Sequence, residues 1–268
     1  MKKKPIGIYD SGVGGLTVFK EIRTRFPFED IVYFGDTARV PYGPKSRNTV
    51  IEYSIQNARF LLQCGAKLIV IACNTSSAVA LDYLKKNLPV PVIGVIEPGS
   101  ISAMQKTKNN RIGIIGTEGT IRSNAYSTAI SGFDKNTKTF GKACPLFVPI
   151  VEEGWEEHEV STMIINEYLS ELLENDIDTL ILGCTHYPIL KRSLQKILGS
   201  HINLIDSAEA TAEELFRIIP ERQMSGHGSD IFYVSDNEDK FKKIASRILD
   251  KEIDNLIKVK LAESWYLE

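Results

Sequence analysis

Short runs of apolar, mostly β-branched residues alternate along the chain with longer stretches in which apolar positions recur every three to four residues. The runs fall at 6–9, 31–34, 68–72, 92–96, 112–115, 180–182 and 202–205. They are continuous rather than alternating, as expected of strands covered on both faces. Helical spacing is clearest over 49–62, 76–86, 160–173 and 189–198, with Pro188 near a helix start, where its missing N–H costs little. Such alternation predicts an α/β protein with mainly parallel sheets.

The pattern also repeats. The string KLIVIACNT at 67–75 resembles DTLILGCTH at 178–186, which places Cys184 111 residues after Cys73. An echo of the first strand, IGIYDS at 6–11 against IGIIGT at 112–117, lies 106 residues on. Two offsets that nearly agree predict a duplicated α/β unit. We expect two similar domains related by a pseudo-two-fold axis, with a site in the cleft between them. A Pro98-Gly99 pair interrupts the pattern and suggests a boundary near 97–100. A further strand at 231–234 and a helix near 240–249 fall outside the repeat. They are expected to return onto the first half, giving a first domain of 1–97 plus 208–268 and a second of 98–207. The stretch 223–230 reads as a polar turn, and the Val148-Pro149-Ile150-Val151 run as strand-like.

Composition narrows the class. With 268 residues, 43% of them hydrophobic, the chain has material for a sizeable core. The 32 Lys and Arg nearly balance the 34 Asp and Glu and form no long block of one sign, which argues against nucleic acid or an anionic membrane as partner. The Lys2-to-Lys4 run leads into an apolar stretch that Asp10 cuts short of a signal core, and no run approaches a membrane span. Cys64, Cys73, Cys144 and Cys184 are scattered without a Cys-x-x-Cys pair, so reduced thiols in a cytoplasmic protein are expected, and no metal site.

Cys73 and Cys184 each follow a buried-looking strand and precede a helix, where open α/β sheets present ligands and where a helix N-terminus favours a thiolate. Two symmetric thiols facing one cleft suit inversion of a carbon centre: one takes a proton from one face while the other delivers one to the opposite face. An isolated free cysteine is more often a small core residue. The matched pair, followed by Asn74-Thr75 and Thr185-His186, favours chemistry. His186 can hold or pass a proton for Cys184, and Asp10 can do so for Cys73, although Asp10 also suits a turn or helix cap. Ser11, Thr75, Thr117, Thr120 and Thr185 offer a neutral hydrogen-bonding lining for an amino acid with two carboxylates, though helix capping explains any one of them. The glycine-rich stretch 10–16 matches neither a dinucleotide loop nor a Walker A motif. Glu152 and Glu153 are within reach of the cleft in sequence terms, with solvated loop carboxylates as the simpler reading. Cys64 and Cys144 read as structural.

Four strings, GIYDSGVGGL at 7–16, FGDTARVPYG at 34–43, ACNT at 72–75 and GCTHYP at 183–188, resemble the glutamate racemases of the aspartate/glutamate racemase superfamily. The resemblance implies two α/β domains with the site between them, and Cys73 and Cys184 as the proton acceptor and donor pair. It further implies that Asp10, Ser11, Tyr42, Gly43, Asn74, Thr75, Thr185 and His186 contact or support the substrate. Interconversion of L- and D-glutamate without pyridoxal phosphate, metal or other cofactor would follow, supplying D-glutamate for peptidoglycan, with a homodimer as the usual assembly. A racemase acting on aspartate is the nearest alternative. Some members carry an N-terminal extension linked to activation by a cell-wall precursor; five residues precede the first strand here, so that regulation is not expected.

Overall fold

The computed structural model describes residues 4–219 and 225–261, so Gln223 and Met224 of the polar turn stretch lie outside the described residues. The first half of the chain runs β1 (Ile6–Asp10), α1 (Leu16–Arg25), β2 (Ile31–Gly35), α2 (Arg47–Gln63), β3 (Leu68–Ile71), α3 (Asn74–Asn87), β4 (Val92–Gly94) and α4 (Ile96–Lys106). The second half continues with β5 (Arg111–Gly116), α5 (Glu118–Arg122), α6 (Ala125–Phe133), β6 (Lys138–Ala143), α7 (Phe147–Glu153), α8 (Glu159–Leu173) and β7 (Thr179–Gly183). A 3-10 turn (Tyr187–Leu190) leads into α9 (Lys191–Leu198), followed by β8 (Asn203–Asp206), α10 (Ser207–Ile218), β9 (Asp230–Val234), α11 (Glu238–Leu249) and β10 (Leu256–Lys258).

Two parallel sheets result, ordered β10-β9-β2-β1-β3-β4 and β6-β5-β7-β8. The order β2-β1-β3-β4 recurs as β6-β5-β7-β8, and so does the register: Ile6 faces Leu68 as Ile112 faces Thr179. These are the positions that the sequence repeat equates. In each sheet the chain reverses direction between the first and third strands of the unit, leaving a crevice at their carboxyl ends. β9 pairs with β2, so the chain after the second sheet returns to the first.

The central strands β1, β3 and β7 are wholly buried, as their unbroken apolar runs require. The helices bury one stripe each. In α11, Phe241, Ile244, Ala245, Ile248 and Leu249 form it at helical spacing, and Asn237 caps the first turn by accepting from the Lys240 N–H. Phe241, Ile244 and Leu249 join the β1 and α1 side chains Ile8, Leu16 and Phe19 in the main core of the six-stranded sheet, while Phe147, Leu169, Leu182 and Tyr187 centre a second core.

Three expectations need correction. Pro98-Gly99 does not break the chain but lies in the first turn of α4, where the N–H groups have no helical partner to lose. The run at 148–151 is part of α7, with Pro149 likewise in a first turn. The run at 92–96 ends as a strand at Gly94, and Ile96 already opens α4. The apolar pattern does not single out α1, α4, β6, α10 or β10. For β6 the reason is physical: this edge strand is partly exposed along its length and carries Lys138 and Lys142 where a buried strand would carry apolar residues.

Candidate active site

Cys73 leaves β3 and stands at the N-cap of α3, its backbone extended and its carbonyl accepting from the Ser77 N–H at 2.8 Å. Cys184 leaves β7 and turns directly into Thr185-His186, with its carbonyl accepting from Tyr187 N–H at 3.1 Å. Both therefore sit in the crevices at the two switch points. Each is 5% exposed, and each packs on its own side: Cys73 with Tyr42 and Val50, Cys184 within the Phe147 and Tyr187 core.

The flanking residues show that these two crevices face one another. Beside Cys73, Thr75 Oγ1 lies 2.8 Å from Thr117 Oγ1 and 3.3 Å from Thr120 Oγ1, and the Tyr126 hydroxyl donates to Asn74 Oδ1 at 2.7 Å. Thr117, Thr120 and Tyr126 all belong to the second half. Beside Cys184, the Thr185 carbonyl accepts from Thr17 Oγ1 at 3.0 Å, and Thr185 Oγ1 reaches Asp10 Oδ1 at 3.5 Å. Gly43 closes against Thr117, where an added Cβ would stand 2.9 Å from the threonine Cβ. Thr117 is also the N-cap of α5, accepting from Thr120 N–H at 3.2 Å, so capping and cross-linking are served by one side chain.

Asp10 ends β1 fully buried. Its Oδ2 accepts from Gly12 N–H at 2.9 Å, so it is a turn former and a site carboxylate together. Burial raises its pKa, against the opposing charge of His186 and the N–H groups of Gly12, Gly15 and Ser11. Ser11 Oγ is 3.7 Å from the Cys73 sulfur. The helix N-terminus does not bring Cys73 toward neutrality as its position suggests. Burial, then the Asp10 charge, push the thiol up to about 11, and contacts with Ser76 and Ser11 offset only part of this. The Cys184 charge adds to the rise, which places the two sulfurs within electrostatic reach.

His186 Nδ1 lies 3.9 Å from the Cys184 sulfur, and its Nε2 lies 3.4 Å from Glu152 Oε1. Burial opposes its charge, but Cys184, Glu152 and Asp10 together outweigh it and lift the imidazole to about 10. The same contact, opposed by burial and assisted by the Lys240 ammonium 2.7 Å away, lowers Glu152 to about 2. Glu152 is thus brought to the site by α7, whereas Glu153 on the same helix is exposed. Among the described residues, Asn74 Nδ2 and His186 Nε2 are buried without an aligned hydrogen-bond partner. A cavity of about 120 Å³ beside the site is lined by Gly12, Val13, Val40 and Glu152.

Tyr42 is held by a network that spacing and composition do not reveal. Its hydroxyl bonds Asp36 Oδ2 and receives the Asn57 amide at 3.0 Å, while Arg39 bridges Asp36 at 2.7 Å, Gln56 and Asn57 and lies over the Tyr53 ring. With its hydroxyl so occupied, this segment approaches the second half through Gly43, after a cis Val40-Pro41 bond. Asp36 and Arg39 lie inside the string FGDTARVPYG, which is the one signal that marks them. Gly14 lies inside the string GIYDSGVGGL, but its contact is visible only in the structure: a Cβ there would lie 2.4 Å from His186 Nδ1. Cys64 and Cys144 have no counterpart in the site. Among the described residues no cluster of His, Cys, Asp or Glu is arranged to hold a metal ion, and no helix is long and apolar enough to cross a membrane.

Comparison with known proteins points in one direction. A family model described as Asp/Glu/Hydantoin racemase matches residues 18–215. A glutamate racemase from Geobacter metallireducens is 49% identical, over 97% of this chain and 98% of its own. Among solved structures, a glutamate racemase isoform from Bacillus anthracis superposes with a TM-score of 0.94 at 41% identity, over 97% of this chain and 99% of its own. The glutamate racemase from Francisella tularensis, crystallised with D-glutamate, gives 0.91 at 39% identity, again over 97% and 99%.

Proposed function

The chain belongs to the Asp/Glu/hydantoin racemase family and is an amino-acid racemase; from that premise we propose that it interconverts L- and D-glutamate through Cys73 and Cys184. The observation that carries this reading is the reciprocal cross-linking of the two thiol loops. Asn74 and Thr75 bind partners from the second half, and Thr185 binds Thr17 and Asp10 from the first. A substrate lodged between them meets one sulfur on each face of its Cα.

In each turnover one sulfur, as thiolate, takes the Cα proton while the other thiol delivers its own to the opposite face. One C–H and one S–H bond break and one of each forms, with no net redox change, so the exchange balances between the two sulfurs and the substrate. Cys73, kept protonated by burial and by Asp10, is the donor in the resting protein. His186 and Glu152 hold the proton balance on the Cys184 side. Reversal of substrate hand exchanges the two roles. The hydroxyls of Ser11, Thr75, Thr117, Thr120 and Thr185, with the Asn74 amide and the Tyr42-Gly43 segment, receive the carboxylates and amine. The described residues within 1–97 and 208–268 then form one domain and 98–207 the other, the substrate lying between them. The glutamate assignment draws support from the relatives, and D-glutamate so formed would serve peptidoglycan synthesis.

The test is to incubate the protein with L-glutamate and separately with L-aspartate in deuterated water and follow the Cα–H signal. Loss of that signal with formation of the D-enantiomer is expected for glutamate. Exchange with aspartate but not glutamate overturns the substrate assignment. Replacing either cysteine by serine must abolish full turnover; a protein that tolerates loss of one thiol is not a two-base racemase.

A further inference from the structure

Tyr126 lies in none of the sequence motifs, yet it touches both thiol loops. It enters from the first turn of α6, is 2% exposed, and donates its hydroxyl to Asn74 Oδ1 at 2.7 Å, one residue beyond Cys73. On the other side its ring lies against the last residue of β7, one residue before Cys184: a Cβ added at Gly183 would come within 3.1 Å of it. Gly99 of α4 bounds the ring on a third side, where a Cβ would lie 3.3 Å away. Gly99 and Gly183 both lack the side chain that would displace this ring.

The chemistry of the amide gives the contact its significance. An asparagine carries an acceptor and a donor that exchange places when the amide turns over. A tyrosine hydroxyl that donates to Oδ1 selects one of the two orientations. The selected one leaves Asn74 Nδ2 buried and without a partner among the described residues, a costly arrangement for a donor unless a ligand accepts from it. Burial raises the Tyr126 hydroxyl above its ordinary value, which favours the protonated, donating form.

We propose that Tyr126 is a positioning residue of the racemase: its O–H fixes the Asn74 amide with the NH2 group toward the substrate, and its ring sets the Gly183-Cys184 segment against that amide. This deepens the two-thiol reading and rests on it. The consequence is specific to binding. Without the hydroxyl, Asn74 samples both orientations and presents an acceptor where a substrate carboxylate needs a donor.

Tyr126→Phe keeps the ring, and with it the packing on Gly99 and Gly183. We expect KM for both glutamate enantiomers to rise about tenfold and kcat to change less than threefold, the tenfold corresponding to about 1.4 kcal/mol for one lost hydrogen bond. The double variant separates this from a general packing effect: on an Asn74→Ala background, Tyr126→Phe should add nothing further to KM. An unchanged KM in the single variant, or an undiminished effect in the double variant, overturns the positioning role. Failure of the underlying reading looks different: Asn74→Ala alone would then leave KM unaltered, or the wild-type protein would exchange no Cα proton of glutamate.

Discussion

Gly14→Ala is the most demanding test of how the two halves meet. The added Cβ would stand 2.4 Å from His186 Nδ1 and 2.5 Å from Thr185 Oγ1. Ordinary carbon contacts lie at about 3.5–4.0 Å, so the Thr185-His186 segment must retreat by about 1 Å. Both side chains are buried, so the movement is not absorbed by solvent. It falls instead on the 3.9 Å approach of His186 to the Cys184 sulfur and the 3.5 Å approach of Thr185 to Asp10. Misplacement by about 1 Å lowers turnover by about 10²-fold, and overpacking costs about 1–3 kcal/mol of stability. Deuterium wash-in at Cα, started from each enantiomer, reads the first; urea denaturation reads the second. Gly132→Ala is the control, because a Cβ there meets nothing within 4 Å and alanine is the better helix former. A Gly14→Ala protein whose exchange rate stays within about twofold of wild type would refute the claim that this glycine sets the approach of His186 to Cys184.

Cys73→Ser and Cys184→Ser should each lower racemisation by about 10²- to 10⁴-fold, measured by chiral chromatography, and wild-type rates in either would remove the two-base scheme. Tyr42→Phe deprives Asp36 of a donor and Asn57 of an acceptor in a buried network, so a loss of about 1–3 kcal/mol in urea unfolding is expected, and an unmoved midpoint would count against the network. His186 is lifted to about 10 against an ordinary value near 6.5, so between those values the folded chain holds the extra proton. Its contribution to stability is then complete below about pH 6.5 and is lost as pH rises toward 10. His186→Asn should flatten that part of the stability profile, whereas an identical slope in variant and wild type would contradict the raised imidazole.

Fold and chemistry are legible in the sequence to different depths. The strands at 68–72 and 180–182 announce themselves because a sheet covered on both faces admits only apolar residues, and the repeated string carries the register with it. Proline misleads twice. At Pro98 and Pro149 the sequence shows a breaker, and only the position within the helix shows that the missing N–H is never needed. The charge state of Cys73 is illegible for a related reason. Its place at a helix N-terminus is visible in sequence, but the burial and the Asp10 carboxylate that outweigh it come from separate strands. Glu152 gives no local sign, since its contact with His186 depends on α7 being a helix rather than a strand. Tyr126 acts across the interface between halves, where neither spacing nor composition holds information, and the glycine-rich stretch that contains Gly14 does not tell which side chain it faces.

The duplicated unit is symmetric in strand order but not in the residues that succeed each thiol, Asn-Thr in one and Thr-His in the other. Mirror-image substrates are equal in energy, so the ratio of kcat/KM for the two directions is held at one whatever the protein does. The individual constants escape that condition. Under the proposed two-thiol scheme each enantiomer gives its proton to a different sulfur, and saturation then favours one hand: the protein can run faster toward one product while binding its precursor proportionately more weakly.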